Sequence, residues 1–172
     1  MPGRFDPAKR VLTWENKTMP ANLFEEHRLI LSTAEAFLAA LRRGPDPADA
    51  IHGLRAQLAG KIRRHRARED ALVLAPFAAA GGFAHLPEVS AQVQRIQQEW
   101  LGYSRHVGRW TRQAMAANWD GYVSAVAERV DMLRRLTAVE EREVYGPILR
   151  FLAAREAALP QPMPEPCRAT VA

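Results

Sequence analysis

Five side chains that can bind metal ions fall on the apolar faces that the sequence predicts for its helices. They are three histidines and two glutamates: His27, His65, Glu69, His106 and Glu140. A charged or imidazole group is costly on a buried face unless it has a partner, so something has to satisfy each of them. Because each lies near the middle of its predicted helix, all five could meet at one depth in a helical core, where facing helices build metal sites. The chemistry that these residue types indicate is therefore metal binding.

The second predicted helix carries the closest pair of these residues. His65 and Glu69 stand four residues apart, so an imidazole and a carboxylate share one helical face and both can reach one ion. The fourth helix repeats part of this pattern, because Glu69 stands seven residues before Pro76 and Glu140 stands seven residues before Pro147. The second and fourth helices of an antiparallel bundle run in the same direction, which makes this match geometrically sensible.

Apolar residues at steps of three and four predict four long helices that must position these side chains. The first helix covers about residues 20–43, the second opens at Asp46-Pro47 and closes around Pro76 and Gly81-Gly82, the third opens at Pro87-Glu88 and weakens near Asn118, and the fourth begins around Asp120. No segment shows the alternation of a half-buried strand. The sequence therefore predicts an all-α protein, folded as an up-and-down antiparallel four-helix bundle.

The chain divides into one predicted domain with two flanking segments. We expect an N-terminal arm over residues 1–18, the bundle over residues 19–157 and a proline-rich tail over residues 158–172. A length of 172 residues is enough to bury a single core without disulfides or a structural metal. The one cysteine, Cys167, lies in the tail, so any metal must be bound by histidines and carboxylates.

Composition narrows the classes of function. Lys and Arg outnumber Asp and Glu by 24 to 19, for a net charge of +5, but no basic cluster with interleaved aromatics is present, so a solvated basic face is favoured over nucleic-acid binding. No run of about 20 apolar residues and no secretory signal is found, which predicts a cytoplasmic protein without a membrane span. The sequence has no phosphate-binding glycine loop and no activated nucleophile, so an enzyme is disfavoured.

The chain resembles the hemerythrin-like family, the HHE cation-binding domain, over about residues 20–155. The resemblance rests on LFEEHRLI in the first helix, HRAREDALVLAP in the second, EWLGYSRH in the third and VEEREVYGP in the fourth. Members of that family hold two non-heme irons between bridging carboxylates and terminal histidines. The resemblance implies that His27 and His65 are terminal ligands of one metal. It also implies that Glu69 and Glu140 are bridges and that His106 is a ligand of a second metal.

The fourth helix departs from the family pattern at one ligand. The resemblance places a histidine four or five residues before the bridging carboxylate, where this sequence has Leu136 and Arg135, and neither can bind iron. We therefore expect one ion more readily than two, either non-heme iron or another divalent metal. The resemblance implies a role in sensing, storage or handling of iron, oxygen or nitric oxide. A small diatomic ligand is then a candidate partner and a homodimer a candidate assembly.

A metal-free bundle is the alternative that the residues leave open. Arg135 or Arg68 could place a guanidinium between Glu69 and Glu140, which would replace the cation by a buried ion pair. The protein would then be a helical interaction or regulatory module. The ferritin-like alternative is disfavoured because its Glu-x-x-His pairs do not occur here. An enzyme-like role in the repair of iron centres is implied by the resemblance alone.

Overall fold

The computed structural model describes residues 19–44 and 48–158, and this part of the chain is helical almost throughout. Its elements in chain order are α1 (Met19–Arg42), α2 (Ala48–Glu69), π1 (Asp70–Leu74), α3 (Ala75–Ala79), α4 (Gly82–His85), α5 (Pro87–Arg109), α6 (Arg112–Ala117), α7 (Trp119–Val139), π2 (Glu140–Tyr145) and α8 (Gly146–Ala157), where π1 and π2 are turns of π-helix. The described residues contain no strand, so the all-α prediction is confirmed. The predicted arm, and the predicted tail beyond residue 158, lie outside the described residues.

The apolar stripes, which are the rows of residues that the sequence predicts at steps of three and four, supply most of the core. All six stripe residues of α1 are buried: Leu23, His27, Ile30, Ala34, Phe37 and Leu41. Residues spaced three and four apart share one face of a helix, so burying one of them favours burying the rest of the row. The same rule puts two polar side chains of α2, His65 and Glu69, among its buried apolar residues. None of the helices within the described ranges is long and apolar enough to cross a membrane.

Helix α1 packs along α2 and α7, and its direction relative to α7 is fixed by contacts at both ends. The indole N–H of Trp119, at the start of α7, donates to the carbonyl of Leu41 near the end of α1 at 3.3 Å. At the other end, Glu140 lies against His27 near the start of α1. The two helices are therefore antiparallel, and the end of α7 meets the beginning of α1.

Helix α5 packs against α7 and π2, also in the antiparallel sense. The ring of His106, near the end of α5, stacks on the ring of Tyr122 near the start of α7. Gln92, near the start of α5, donates to Glu143 in π2. This arrangement sets the position of each side chain along the packed helices, which periodicity alone does not give.

Both long helices that carry a glutamate of the predicted site continue past it through a π-helical turn. The turn π1 follows Glu69 directly, and π2 begins at Glu140. Pro76 and Pro147 then stand at the beginning of the next helices, α3 and α8. A proline has no N–H to give to a helix, and a preceding π turn shifts the hydrogen bonding by one residue so that the helix can continue. The second predicted helix therefore continues through π1 and α3, past Pro76, and ends at Ala79, just before Gly81-Gly82, where the sequence also predicted its end.

The boundary after α5 also differs from the prediction. The helix ends at Arg109, and Trp110 leaves the helical conformation while its ring stays buried. Thr111 then caps α6 by accepting from the backbone N–H of Ala114, and Asn118 caps α7 in the same way. The two capping residues thus separate a short helix, α6, from its neighbours. The sequence had predicted instead one helix that weakens only near Asn118.

Candidate metal centre

Three of the predicted ligands meet in the core. The Nε2 atoms of His27 and His65 face each other at 2.9 Å, and the Oε2 atom of Glu140 lies 3.2 Å from the Nε2 of His27. All three side chains are buried, and one donor atom of each lies within 4.8 Å of the other two. The three come from α1, α2 and the first residue of π2, so the site exists only where these elements pack together.

The outer nitrogens of both histidines are held by carboxylates. The Nδ1 of His27 lies 2.8 Å from Oε1 of Glu141, and the Nδ1 of His65 lies 3.0 Å from Oε2 of Glu26. An ionised carboxylate only accepts hydrogen bonds, so each Nδ1 carries a proton and donates it. Arg68 forms an ion pair with Glu26 at the rim. Carboxylates in this position fix the tautomer and the ring orientation of metal-binding histidines.

The protons on Nδ1 decide what can lie between the two rings. A neutral imidazole that donates from Nδ1 has only a lone pair on Nε2, so two such rings would repel each other at 2.9 Å. A proton or a metal cation must therefore lie between the two Nε2 atoms. Burial lowers the pKa of His27, but hydrogen bonds to Glu140 and Glu141 outweigh it and leave that pKa raised. Burial and the charge of His27 lower the pKa of His65, so His27 is the ring that holds the proton in the absence of metal.

The donor set fits a single cation. Imidazole nitrogens together with carboxylate oxygens are the ligands that iron, manganese and zinc use in proteins. Donor atoms in neighbouring positions around one ion, each at roughly 2.1 Å from it, are about 3 Å apart. The separations of 2.9 Å from the Nε2 of His27 to that of His65, and of 3.2 Å from it to Oε2 of Glu140, agree with that spacing.

Glu69 joins this cluster through Tyr145. The hydroxyl of Tyr145 donates to Oε1 of Glu69 at 3.1 Å and lies 3.4 Å from the Nε2 of His27. Burial raises the pKa of Glu69 to about 7, with a further contribution from the Glu140 carboxylate, while the hydrogen bond from Tyr145 acts in the opposite direction. A cation at the centre would favour the ionised form of Glu69, because metal binding competes with protons for the same ligand.

The structure does not bring His106 to this cluster. Its ring stacks on Tyr122 with 6.4 Å between ring centroids and on Tyr103 with 6.5 Å. Between Tyr122 and Glu140 lie 18 positions of continuous helix (122 to 140), which span about 27 Å at 1.5 Å per residue. His106 therefore lies at the opposite end of α7 from the other four predicted residues. The reason is that α5 runs antiparallel to α7, so its last residues meet the beginning of that helix.

Neither arginine that was considered for a metal-free centre lies between Glu69 and Glu140. Arg68 pairs with Glu26 at the rim of the site, and Arg135 is exposed. The alternative in which one of these arginines lies between the two carboxylates is therefore wrong, because both side chains are exposed. Leu136, one turn before Glu140, is buried.

Three residues of the site were not predicted from the sequence: Glu26, Glu141 and Tyr145. Glu26 and Glu141 are direct neighbours of His27 and Glu140 in the chain, and a search for carboxylates beside candidate ligands would have found them. Tyr145 stands five residues after Glu140, a spacing that an α-helical stripe does not select. The π turn makes the difference, since it brings both Val144 and Tyr145 into the core.

Comparison with known proteins gives no further guide. No family model matches the chain, and neither a curated protein nor a solved structure is significantly similar to it. The chemistry of the site itself therefore carries the functional proposal.

Proposed function

We propose that this chain is a hemerythrin-like four-helix bundle that binds one metal ion through His27, His65, Glu69 and Glu140. The ion is non-heme iron or another divalent metal, and the protein uses it to sense, store or handle iron, oxygen or nitric oxide. The antiparallel packing of α1 against α7 and of α5 against α7 supports this fold. The single centre is supported by the position of His106, which lies too far away to serve a second ion beside the first.

The observation that carries the proposal is the pair of Nε2 atoms that face each other at 2.9 Å beside Glu140. Each ring is turned inward by its own carboxylate, Glu141 for His27 and Glu26 for His65. This arrangement aims two Nε2 atoms and one carboxylate oxygen at one point before any ion binds. Such preorganisation by outer hydrogen bonds is a general property of protein metal sites.

The residues around the centre have separate tasks in this proposal. A bound ion supplies Lewis acidity and a position for a small ligand. Glu69 and Glu140 supply the negative charge that offsets the cation, and burial keeps bulk water away from them. Glu26 and Glu141 hold the imidazole rings, and Arg68 in turn holds Glu26.

A second candidate function, a metal-free interaction or regulatory module, is favoured by one specific observation. A protonated His27 can donate to Glu141 from Nδ1 and to His65 or Glu140 from Nε2, so one proton closes the network. Among the described residues, the buried side-chain polar atoms without a partner belong to Trp100 and Glu156, not to this cluster. The site can therefore be satisfied without a metal, and a metal count separates the two candidates.

Metal counting on the full chain tests the proposal. The purified protein is titrated anaerobically with ferrous iron, manganese, cobalt or zinc, desalted, and analysed for metal together with its circular dichroism. We expect about one equivalent to be retained by the wild type, and none by His65→Gln or Glu69→Gln, since each loses a ligand. Helicity should stay close to that of the wild type, because the apolar core holds the fold.

The matched control is His85→Gln, on the exposed side of α4, which should retain the metal of the wild type. A wild type that retains no metal after reconstitution would support the metal-free module instead. Unchanged metal content in both ligand variants would contradict the assignment of these residues.

Glu141→Ala tests the role of the outer carboxylates. Removing Glu141 leaves the Nδ1 of His27 without its acceptor, so the ring loses the contact that aims Nε2 at the centre. Loss of such an outer contact lowers metal affinity about 10–100-fold. Competition with a chelator measures the affinity, and Glu88→Ala, an exposed glutamate on α5, should leave it unchanged. Equal affinities of the two variants would count against the anchoring role.

A further inference from the structure

The hydroxyl oxygen of Tyr145 stands among the donor atoms at the spacing of a further donor. It lies 3.4 Å from the Nε2 of His27, while His65 and Glu140 place their donors 2.9 Å and 3.2 Å from the same atom. It also lies 3.1 Å from the nearest oxygen of Glu69. The oxygen is thus in contact with two of the four residues assigned to the ion.

The ring of Tyr145 is held firmly in this position. It stacks on the imidazole of His27 with 5.8 Å between centroids and 18° between planes, and it packs against Phe24 with centroids 6.0 Å apart. The side chain is 1% exposed. A buried hydroxyl is costly without a polar partner, and packing alone would be served equally well by phenylalanine. The hydroxyl therefore matters for what it contacts, which is the centre itself.

Charge balance indicates which ion such a donor would favour. The carboxylates of Glu69 and Glu140 contribute two negative charges and match a divalent cation. Burial and the carboxylates of Glu69 and Glu140 raise the pKa of Tyr145, so its oxygen becomes a phenolate only where a cation takes the place of the proton. Such a phenolate adds a third negative charge and would match a trivalent cation. Uncompensated charge is strongly disfavoured in a buried site, so the number of anionic donors biases the choice of ion.

On the basis of the function proposed above, we propose that the oxygen of Tyr145 is a fifth metal donor and that it makes the centre prefer ferric iron to divalent ions. On binding, the O–H bond of Tyr145 is replaced by a bond from oxygen to the metal, and the proton leaves to bulk solvent. No electron is transferred, because the iron enters as the ferric ion. This ranks the ions allowed by the proposed function and places ferric iron above the divalent metals.

The test loads the full chain separately with ferric iron, gallium(III) as a redox-inert trivalent probe, and zinc(II). With ferric iron, the wild type should show the visible absorption of a phenolate bound to iron, and Tyr145→Phe should not. With gallium, the wild type should show the ultraviolet difference spectrum of an ionised tyrosine, which Tyr145→Phe again lacks. Retention of ferric iron should fall about tenfold or more in Tyr145→Phe. Retention of zinc should be the same as in the wild type.

Tyr122→Phe is the matched control, because Tyr122 is equally buried but lies at the other end of α7. It should keep both spectroscopic signals. Circular dichroism checks that Tyr145→Phe is folded, and if it is not, the gallium spectrum of the wild type decides alone. A wild type that retains ferric iron without either tyrosinate signal overturns this inference and leaves the proposed function standing. A wild type that retains no metal at all removes the proposed function, and this inference with it.

Discussion

The side chains of His106 and His27 are both largely enclosed, but their surroundings shift their pKa values in opposite directions. Burial lowers the pKa of His106 to about 4, and the guanidinium groups of Arg129, Arg55 and Arg109 act in the same direction. Carboxylates surround His27 instead and raise its pKa. The same arginines that disfavour a proton on His106 also disfavour a metal cation there. Charge therefore adds to distance as a reason for a single centre.

Because its pKa is lowered, we expect His106 to decrease the stability of the folded chain in acid. The unfolded chain takes up a proton at the ordinary pKa near 6.5, whereas the folded chain does so only near 4. The contribution of His106 to stability is therefore complete above about pH 6.5 and declines as the pH falls toward 4. His106→Gln removes this term, so its free energy of unfolding should fall less between pH 7.5 and pH 5.0. Urea denaturation at both pH values measures the free energy of unfolding. An equal decrease between the two pH values in the wild type and in His106→Gln would refute the prediction.

The sequence predicted only those residues of the site that helical periodicity can identify. His27, His65 and Glu140 were found because each occupies a step of its stripe and is too polar for a buried face. His106 was predicted on the same ground, because it lies on the stripe of α5. Periodicity identifies the buried face of a helix but not which part of the neighbouring helix a residue meets. Tyr145 was missed because it lies in a π turn, where the buried residues no longer follow the α-helical period.

At the scale of elements, the turn between α3 and α4 requires glycine at two successive positions. Gly81 adopts a left-handed conformation with φ of 72°, and Gly82 follows it under the ring of Phe77. Phe77 itself is completely buried and packs edge-on against Phe83 and Phe151. A side chain at Gly82 would overlap that ring, so only glycine permits α3 to approach α4 so closely.

Two glycine variants should therefore have opposite effects. Gly82→Ala forces its Cβ into the immobile ring of Phe77 and should lower the free energy of unfolding by about 1–3 kcal/mol. Gly53→Ala, inside α2 with open space around it, should raise that free energy by about 0.5–1 kcal/mol. Urea denaturation compares both with the wild type. A neutral or stabilising Gly82→Ala would mean that the ring has room to move.

The long helices were predictable as elements, whereas the short ones were not. Each long helix has several turns of apolar stripe, and such a signal survives local irregularities. The helices α4 and α6 have four and six residues, too few for a period to be recognised. Their limits depend on single residues, such as Thr111 and Asn118 as caps, and on the conformation of Gly81. The continuation beyond Pro76 depends on a π turn, which leaves no simple pattern in a sequence.

At the scale of the whole molecule, the proposed ion would couple α1, α2 and the end of α7 into one unit. A ligand that binds only the folded chain stabilises it by about 2.7 kcal/mol when its free concentration is a hundred times its Kd. For a protein of this size, that corresponds to a rise in Tm of about 5–10 °C. The metal that is retained in titration should produce this shift in thermal denaturation, and a chelator should reverse it.

His65→Gln provides the internal control for that measurement. It lacks a ligand, so its Tm should not respond to the metal, although its unliganded fold should resemble that of the wild type. A rise of Tm in both proteins would show that the metal acts somewhere other than this centre. No rise in the wild type would favour the metal-free module.

The contacts of His27 join parts of the chain that leave the ribosome at different times. His65 follows it by 38 residues, but Glu141 follows by 114. When α1 and α2 have left the ribosome, the growing chain therefore presents both imidazoles but none of the donors from π2. On the function proposed above, this part of the chain would offer His27, His65 and Glu69 but not Glu140 or Tyr145, so an ion that enters early would be held weakly and could exchange. If the centre binds an ion as proposed, the completed chain would therefore select the metal, and the order in which ions meet the growing chain would not.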